Sequence, residues 1–416
     1  MTLPRPPTAA PLNAAPRRDG AGATTSADAP ARLRRVLSLQ DFETAACVHL
    51  PRPVFGYIAG AAEDSHSLRG NRTAFDEYQF VPRVLVDISQ RSTATTLFGT
   101  TYAAPFGIAP VGLMALSAYR GDIVLAQAAA RANVPMIMSG SSLTRLEEVA
   151  AASPAAWFQA YLPGDMERIA ALIERVARAG FGTLVITVDT PVAANRENNV
   201  RAGFSTPLRP NLRLAWDGLS HPRWLVGTFL KTLLRHGMPH FENSYATRGA
   251  PIMSRHVERD FSDRGHLNWQ HVAMIRQMWK GKLVVKAILH PDDARTARDH
   301  GADGIIVSNH GGRQLDGTVA PLRVLPSIVA ACPGLPVMMD SGVRRGADVL
   351  KAVALGAQMV FAGRPFAYAA AVGGEAGVAH AIGILAQEVS RNMAMLGITS
   401  LAELDAQRFL MRAGDR

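Results

Sequence analysis

Residues 304–317 read GIIVSNHGGRQLDG, and this stretch changes character abruptly in its middle. Its first four residues, Gly304 to Val307, form a short apolar run of the kind found in buried β-strands. The run then ends on polar residues and glycines, and two glycines separate His310 from Arg313. An imidazole and a guanidinium placed directly after a buried strand indicate a functional loop rather than a simple turn.

Seven further apolar runs of similar length occur along the chain, and helix-like segments separate most of them. In chain order the eight runs are FGIAPVG (106–112), PMIMSGS (135–141), AWFQAYL (156–162), TLVITVD (183–189), LVVKAIL (283–289), GIIVSNH (304–310), PVMMDSG (336–342) and MVFAGRP (359–365). Strands that alternate with helices predict an α/β fold with a parallel sheet covered by helices. Eight such units predict a closed (β/α)8 TIM barrel.

Three segments lie outside this repeat. Residues 1–36 combine many Pro, Ala and Gly residues with six arginines, which predicts a disordered basic tail. A helical extension is expected from Leu37 to about Phe75, and residues 37–416 are expected to form one domain. Residues 190–282 separate the fourth and fifth runs, and an interval of that length predicts an insertion after the fourth strand that is either functional or disordered.

The composition limits the classes of protein to which the chain can belong. With 416 residues, of which 48% are apolar, the chain can bury the core of one large domain. Its two cysteines, Cys47 and Cys332, are far apart, which argues against a disulfide scaffold or a cysteine zinc site and favours a reducing compartment. No metal site is expected. The formal charge of +10 leaves nucleic acid, an anionic membrane and anionic substrates as alternatives.

Polar side chains or glycines end each of the eight runs. In a (β/α)8 barrel the residues at the C-terminal ends of the strands line the active site, so these residues are expected to converge on one mouth. They are Gly112, Ser139 with Ser141, Gln159 with Tyr161, Thr187 with Asp189, Lys286, Ser308 with His310, Asp340, and Gly363 with Arg364.

The loops after the last two runs have the composition of a phosphate site. They read DSGVRRGADV (340–349) and FAGRPF (361–366). Glycines let backbone N–H groups approach a phosphate, and Arg344 and Arg364 add charge-assisted hydrogen bonds. In such barrels the loops after strands seven and eight are the usual place for a phosphate group. A Rossmann-type dinucleotide site is not indicated, because the GxGxxG pattern is absent from the sequence.

These motifs together resemble the FMN-dependent 2-hydroxy-acid dehydrogenase/oxidase family, which includes glycolate oxidase and the quinone-linked L-lactate and mandelate dehydrogenases. The stretch SNHGGRQLDG is close to a family signature. GYIAGAAEDSHSLRGNRTAF, WFQAYL, TVDTP, LVVKAI, DSGVRRGADVLKAVALGA and GRP follow the family's order. The resemblance covers about residues 38–411. It implies oxidation of a small L-2-hydroxy acid to the 2-oxo acid with FMN as the cofactor.

The resemblance also implies roles for the residues that face the substrate. His310 is the expected base for the substrate hydroxyl while the Cα hydrogen passes to flavin N5 as hydride, with a carbanion route as the alternative. Asp189 is expected to stabilise the imidazolium form of His310. Arg313 and Arg196 are expected to bind the substrate carboxylate, since a planar guanidinium binds carboxylates bidentately. The two active-site tyrosines of the family correspond to Tyr57 and Tyr161.

A second group of residues is implied to hold the cofactor. Lys286 is expected beside flavin N1 and O2, where reduction leaves negative charge, and the phosphate site is expected at Arg344, Arg364 and the nearby glycines. The full set of expected FMN contacts is Val111, Gly112, Ser139, Gln159, Thr187, Lys286, Ser308, Asp340, Gly342, Arg344, Gly363 and Arg364.

Three positions depart from patterns in the family. Gly112 stands where the family's oxidases usually carry alanine and its dehydrogenases often carry glycine, which favours an acceptor other than oxygen. Ser141 stands where glycolate oxidase has a tryptophan, so the substrate pocket differs there. Ser341 replaces a glycine common in the phosphate loop, a change expected to be tolerated because Gly342 remains.

The insertion resembles the membrane-binding segment of the quinone-linked members. Its sequence HPRWLVGTFLKTLLRHG (221–237) mixes Trp224 and leucines with basic residues, as interfacial amphipathic segments do. Residues 205–265 are therefore expected to form either a membrane-surface segment or a lid over the active site.

The preferred hypothesis is an FMN-dependent dehydrogenase that passes electrons to quinone or another non-oxygen acceptor. The alternatives are a soluble oxidase that makes hydrogen peroxide, a flavin barrel with non-redox chemistry such as an isomerase, and a basic nucleic-acid- or lipid-binding protein without catalysis. The preferred hypothesis implies no nucleic acid and, from the family, a homotetramer. The expected location is cytoplasmic, with peripheral contact at the inner face of the membrane.

Overall fold

All eight apolar runs are parallel strands in the computed structural model, which describes residues 30–205, 212–254 and 264–414. The barrel strands are β4 (Phe106–Ile108), β5 (Ile137–Ser139), β6 (Trp157–Ala160), β7 (Thr183–Thr187), β8 (Lys282–Ile288), β9 (Gly304–Val307), β10 (Val337–Met339) and β11 (Met359–Ala362). They are hydrogen-bonded in the order β4-β11-β10-β9-β8-β7-β6-β5, and a parallel bridge between Ile108 and Met136 joins the two ends. The predicted (β/α)8 barrel is confirmed.

The barrel strands are apolar throughout because both of their faces are buried. Side chains that point inward, among them Trp157, Phe361 and Met338, fill the barrel interior. The rings of Trp157 and Phe361 meet edge to face with centroids 5.6 Å apart. The outward face of each strand packs against the surrounding helices, so alternation between polar and apolar residues is lost, as in other parallel sheets.

Two small sheets complete the strands of the described residues. A hairpin of β2 (Thr95–Leu97) and β3 (Thr100–Tyr102) places Leu97 and Tyr102 in the same cluster as the barrel interior. The antiparallel pair of β1 (Tyr78–Phe80) and β12 (Leu410–Arg412) joins the N-terminal extension to the C-terminal end of the chain.

Helices surround the barrel and form its extensions. Their bounds are α1 (Leu39–His49), α2 (Arg52–Ala59), α3 (His66–Asp76), α4 (Met114–Ser117), α5 (Gly121–Arg131), α6 (Leu146–Ala152), α7 (Met166–Arg178), α8 (Glu197–Ala202), α9 (Leu212–Leu219), α10 (Pro222–Trp224), α11 (Lys231–His236), α12 (Trp269–Met278), α13 (Pro291–Asp299), α14 (Pro321–Ala331), α15 (Gly346–Ala354), α16 (Arg364–Leu396) and α17 (Ala406–Phe409). The predicted helical extension corresponds to α1, α2 and α3.

The folded part begins earlier than the sequence analysis predicted. A 3-10 turn spans Ala31–Leu33, and the side chains of Leu33 and Val36 are buried in the main core. The tail boundary at residue 36 is therefore wrong, because two apolar side chains among the arginines find a place in the core beside α16. The rest of the predicted tail, residues 1–29, lies outside the described residues.

Helix α16 is long and apolar enough to cross a membrane by length and composition. However, 67% of its most apolar window is buried within the fold, where it packs against α1 and α5. Gly374, with φ of 58°, also breaks the helix into two segments. These properties are those of a core helix of the domain.

The insertion between β7 and β8 is attached to the barrel by buried groups. A π-helical turn, Leu225–Leu230, joins α10 to α11. Trp224 is 7% exposed, and its Nε1 donates a hydrogen bond to the carbonyl of Leu116 at 2.7 Å. Within the expected interfacial or lid segment, Trp224 is thus buried, and its indole anchors the insertion to the barrel. Asn243 makes a second attachment, since its Oδ1 accepts from the backbone N–H of Leu146 at 2.9 Å.

Other apolar side chains of the insertion face solvent. Leu212 is 91% exposed, Trp216 70%, Leu219 63% and Leu234 86%. The insertion thus has one face packed on the barrel and one exposed apolar face. Residues 206–211 and 255–263, which belong to the predicted segment 205–265, lie outside the described residues.

We predict that Trp224→Ala releases the insertion from the barrel, since truncation of a buried tryptophan typically costs about 3–5 kcal/mol. Limited proteolysis should then cut the insertion faster than in the unchanged protein. Trp216→Ala is the matched control, because the same side chain is removed from an exposed site, and its digestion rate should not change. Equal digestion of the two variants would contradict the assignment of Trp224 as the anchor.

Candidate active site

A cleft at the C-terminal ends of the barrel strands brings most of the predicted residues together. Those that line it are Tyr57, Val111, Gly112, Ser141, Tyr161, Thr187, Arg196, Lys286, His310, Arg313, Asp340, Gly342, Arg344, Gly363 and Arg364. Ser139, Gln159, Asp189 and Ser308 do not line the cleft directly. Instead they lie next to it, in hydrogen-bond contact with residues of the strand ends.

His310 and Asp189 form a hydrogen-bonded pair across the ends of β9 and β7. His310 Nδ1 lies 3.0 Å from Asp189 Oδ1 and 3.2 Å from Oδ2. A carboxylate only accepts hydrogen bonds, so the proton of the neutral imidazole resides on Nδ1. Nε2 is then the free acceptor, and it lies 3.3 Å from the hydroxyl of Tyr161. The pair therefore presents a basic nitrogen to the cleft.

The environment sets the protonation of this pair. Burial lowers the pKa of His310 below its ordinary 6.5; Asp189 opposes this effect, whereas Lys286 and Arg196 reinforce it. Burial alone would raise the pKa of Asp189, but the charge of His310 and its hydrogen bond hold that pKa below the usual 3.8. At neutral pH the imidazole is neutral and the carboxylate is charged, which is the state that a general base requires.

The loop that carries His310 has an unusual backbone. His310, Gly311 and Gly312 adopt φ values of 57°, 66° and 74°, three left-handed residues in succession. A Cβ at Gly312 would lie 2.6 Å from the backbone nitrogen of Leu68, so glycine is required there by space as well as by φ. Asn309 is held by a reciprocal pair of amide hydrogen bonds with Asn71 on α3, at 2.8 and 2.7 Å.

Arg313 and Arg196 bring positive charge to the same cleft. Arg313 Nη1 donates to the carbonyl of Gly60 at 2.6 Å, and its guanidinium lies over the ring of Tyr57, 5.1 Å from the centroid. Arg196 Nε donates to the carbonyl of Arg313 at 3.0 Å. Burial, with Arg196 and Arg364 nearby, lowers the pKa of Arg313 to about 9, so the group is still charged at neutral pH. This arrangement favours an anionic ligand.

Gln314 is a connecting residue that the sequence analysis did not single out. Its Nε2 donates to the backbone carbonyl of Asp189 at 2.7 Å, and its Oε1 accepts from Arg196 Nη2. It therefore links the carboxylate partner of His310 to one of the two arginines. The sequence does contain one indication of this role, because Gln314 directly follows Arg313 in the signature stretch.

Lys286, on β8, is the buried cation of the cleft. Its Nζ lies 3.0 Å from Asp340 Oδ2 and donates to Ser308 Oγ at 2.7 Å. Lys286 and Asp340 are both buried, so their charges interact with little screening by water. An ammonium held in this way can stabilise negative charge on a bound group.

Two buried polar atoms fit the cofactor that the resemblance implies. Gln159 Nε2 and Thr187 Oγ1 are inaccessible to solvent and have no hydrogen-bond partner among the described residues. Leaving such an atom unpaired costs about 1–3 kcal/mol, so both sites are suited to a ligand with hydrogen-bonding edges. Gln159 is itself held by Ser139, whose hydroxyl donates to its Oε1 at 3.3 Å. Because an isoalloxazine ring carries such edges, the residues present fit FMN.

The loops after β10 and β11 form the charged end of the cleft. Gly342 has φ of 86°, and a Cβ there would lie 2.4 Å from the carbonyl oxygen of Asn71. Burial lowers the pKa of Arg344. Burial and the charge of Arg344 lower the pKa of Arg364 to about 10. Arg364 donates to the carbonyls of Ile58, Gly60 and Gly311, so it also binds the loop that carries His310.

Gly112 lies at a closely packed part of the wall of the cleft. A Cβ there would lie 3.0 Å from Ser141 Cβ and 3.0 Å from the hydroxyl of Tyr57. An alanine would therefore require its neighbours to move by a few tenths of an ångström. Gly112 and Ser141 thus face each other, which joins two of the three departures in one part of the site.

Known proteins resemble this chain over most of its length. A family model described as FMN-dependent dehydrogenase matches residues 46–411. The (S)-mandelate dehydrogenase of Pseudomonas putida is 35% identical over 378 residues, which cover 89% of this chain and 93% of that protein. The L-lactate dehydrogenase of Xanthomonas campestris pv. campestris (strain B100) is 39% identical over 376 residues, which cover 89% of this chain and 95% of that protein.

A solved structure shares the fold as well. The crystal structure of the monotopic membrane protein (S)-mandelate dehydrogenase matches with a TM-score of 0.83 and 33% identity, and the match covers 91% of this chain and 100% of that chain.

We predict that Asp189→Asn lowers the pKa of His310 further. The carboxylate favours the protonated imidazole, so its removal leaves burial, Lys286 and Arg196 unopposed. A neighbouring charge of this kind shifts a pKa by about 1–3 pH units. Histidine-selective NMR titration measures the effect, with His310→Asn used to assign the resonance. An unchanged or higher midpoint in Asp189→Asn would contradict the electrostatic role of Asp189.

Proposed function

The chain belongs to the FMN-dependent dehydrogenase family, and we propose that it oxidises a small, lactate- or mandelate-like L-2-hydroxy acid to the 2-oxo acid. The observation that carries this proposal is the convergence of a neutral base and two guanidinium groups in one cleft. His310 Nε2 is available as a proton acceptor, and Arg313 and Arg196 lie beside it. A 2-hydroxy acid has the matching groups, a hydroxyl next to a carboxylate.

In this proposal each side chain acts on one group of the substrate. Arg313 and Arg196 bind the carboxylate, and Tyr57, under the guanidinium of Arg313, supports that end. His310 Nε2 accepts the hydroxyl proton, a step in which a positioned base contributes about 10²–10⁴ in rate. Asp189 stabilises the imidazolium that results. Burial keeps the pKa of Tyr161 high, so its hydroxyl stays protonated and donates to the substrate oxygen or to Nε2.

FMN, when bound, supplies the hydride acceptor of the reaction at its N5 atom. The residues proposed to hold its ring and ribityl chain are Val111, Gly112, Ser139, Gln159, Thr187, Lys286, Ser308 and Asp340. Those proposed for its phosphate are Gly342, Arg344, Gly363 and Arg364. The unpartnered atoms of Gln159 and Thr187 and the buried ammonium of Lys286 support this assignment.

We propose further that the electrons pass to a quinone or another non-oxygen acceptor. Two observations support a dehydrogenase over a soluble oxidase. Gly112 stands where the family's oxidases usually carry alanine, and a Cβ there would crowd Ser141 and the hydroxyl of Tyr57. A related (S)-mandelate dehydrogenase is a monotopic membrane protein. The proposed location is the cytoplasm, with peripheral attachment to the inner face of the membrane, and the proposed assembly is a homotetramer.

The exposed face of the insertion supports attachment to a membrane. Leu212, Trp216, Leu219 and Leu234 project apolar side chains into solvent. The exposed bases Arg223, Lys231 and Arg235 lie along the same segment, as in helices that bind anionic lipid surfaces. The alternative role of residues 205–265, a lid over the cleft, is compatible with the same anchors.

We predict that the purified protein is yellow and that L-lactate or L-mandelate bleaches its flavin under nitrogen. Arg313→Lys should raise KM about tenfold to a hundredfold, because a lysine cannot form the bidentate bonds of a guanidinium. Arg323→Lys, a change in an exposed ion pair with Glu77, is the control and should leave KM unchanged. The proposal would be overturned if the purified protein contained no flavin. It would also be overturned if none of the 2-hydroxy acids tested changed the rate at which the flavin bleaches. Hydrogen peroxide formed at the rate of substrate oxidation would favour the oxidase alternative.

We predict that the protein co-sediments with vesicles containing phosphatidylglycerol and that added salt weakens this binding. The double change Trp216→Ser and Leu234→Ser should weaken it at least about tenfold, since each buried apolar side chain contributes about 1.5–3 kcal/mol. The control exchanges two exposed apolar residues elsewhere, Leu85→Ser and Met395→Ser. If both double variants bind as the unchanged protein does, the insertion is not the membrane-binding surface.

A further inference from the structure

A ring of hydrogen bonds joins the ends of three barrel strands next to His310. The backbone N–H of Gly311 donates to Ser341 Oγ at 3.0 Å, and Ser341 Oγ donates to Asp340 Oδ1 at 2.8 Å. The other carboxylate oxygen, Asp340 Oδ2, lies 3.0 Å from Lys286 Nζ.

Ser308 completes the ring. Lys286 Nζ donates to Ser308 Oγ at 2.7 Å, and the backbone N–H of His310 donates to the same oxygen at 3.0 Å. The peptide bond between His310 and Gly311 closes the circuit. The ring therefore connects the proposed base, the buried cation and its carboxylate partner.

We propose that Ser341 is a positioning residue for the proposed reaction. Its hydroxyl closes the ring, and so holds the Asp340–Lys286 pair and the loop of His310 in one arrangement. The effect on catalysis rests on the proposed function. The ring of hydrogen bonds does not, because it is present in the folded chain itself.

The backbone at Ser341 supports this role. Its φ is 82°, in the left-handed region that favours glycine, and the neighbouring Gly342, Gly311 and Gly312 have φ values in the same region. Three of these four positions carry glycine, whereas position 341 carries a strained side chain. A hydroxyl that accepts one hydrogen bond and donates another offsets this strain. Neither alanine nor glycine can make those two bonds.

The hydroxyl also affects the charge of the buried pair. Asp340 divides its hydrogen bonds between Ser341 and Lys286. Without the Ser341 donor, the negative charge of Asp340 is balanced mainly by Lys286. The carboxylate then attracts the ammonium group more strongly. Lys286 then offers less positive charge to a bound group, and the loop 308–313 loses one of its attachments.

Two variants separate the hydroxyl from the strain. Ser341→Ala removes the hydroxyl and keeps a Cβ at positive φ, whereas Ser341→Gly removes both. We expect both variants to bind sulfite at the flavin of the holoenzyme about threefold to tenfold more weakly, because adjacent positive charge favours that adduct. Their flavin midpoint potentials should also be more negative. Amide hydrogen exchange in peptides that cover 308–313 should be faster in both.

Leu85→Gly is the control for strain alone. Leu85 has φ of 59° and a fully exposed side chain, so this change relieves strain outside the site and should alter neither sulfite affinity nor exchange of 308–313. The proposal is overturned if both Ser341 variants match the unchanged protein, or if only the alanine variant differs, since the cause would then be strain. If the unchanged protein holds no flavin, the proposed function fails, while the exchange measurement still tests the ring.

Discussion

The site depends on the left-handed backbone of residues 310–312. In this conformation β9 stops abruptly, and the chain turns so that His310 and Arg313 both face the cleft. The turn is costly for a histidine, so other groups must hold it in place. Asn71 binds Asn309 through two amide hydrogen bonds, and the carbonyl of Gly311 accepts from Arg364. The geometry of the base thus depends on contacts with α3 and with the first residue of α16 as well as on its own loop.

Charge is distributed unevenly around this loop. Lys286 and the arginines of the cleft bring several positive charges to one place, and each of the two nearby carboxylates has a specific partner. Asp189 pairs with His310, and Asp340 pairs with Lys286. The remaining positive charge lies on Arg313 and its neighbours, whose described hydrogen bonds go largely to carbonyl oxygens. Such a site favours dianionic or monoanionic ligands, which agrees with a phosphate at one end and a carboxylate at the other.

The barrel was predictable from sequence because both faces of its strands are buried, which leaves uninterrupted apolar runs at regular spacing. The polar residues at strand ends were predictable for the same reason, since they break those runs. Contacts made through single side chains were not predictable. Leu33 was misplaced, and the role of Trp224 stayed open, because the sequence does not show which apolar side chain finds a cavity in the core. Gln314 was missed because its importance lies in two hydrogen-bond partners that come from another loop.

The insertion shows how the same composition can serve two purposes. A segment with tryptophans, leucines and basic residues reads as a membrane-surface helix along its whole length. In the fold, however, Trp224 is buried against the barrel. Its indole N–H donates a hydrogen bond to the carbonyl of Leu116, which attaches the segment at this point. Trp216 on α9 and Leu234 on α11, to either side of this anchor in the chain, remain exposed. The same insertion therefore holds a buried attachment to the barrel and exposed apolar side chains, and composition alone does not show which side chain has which role.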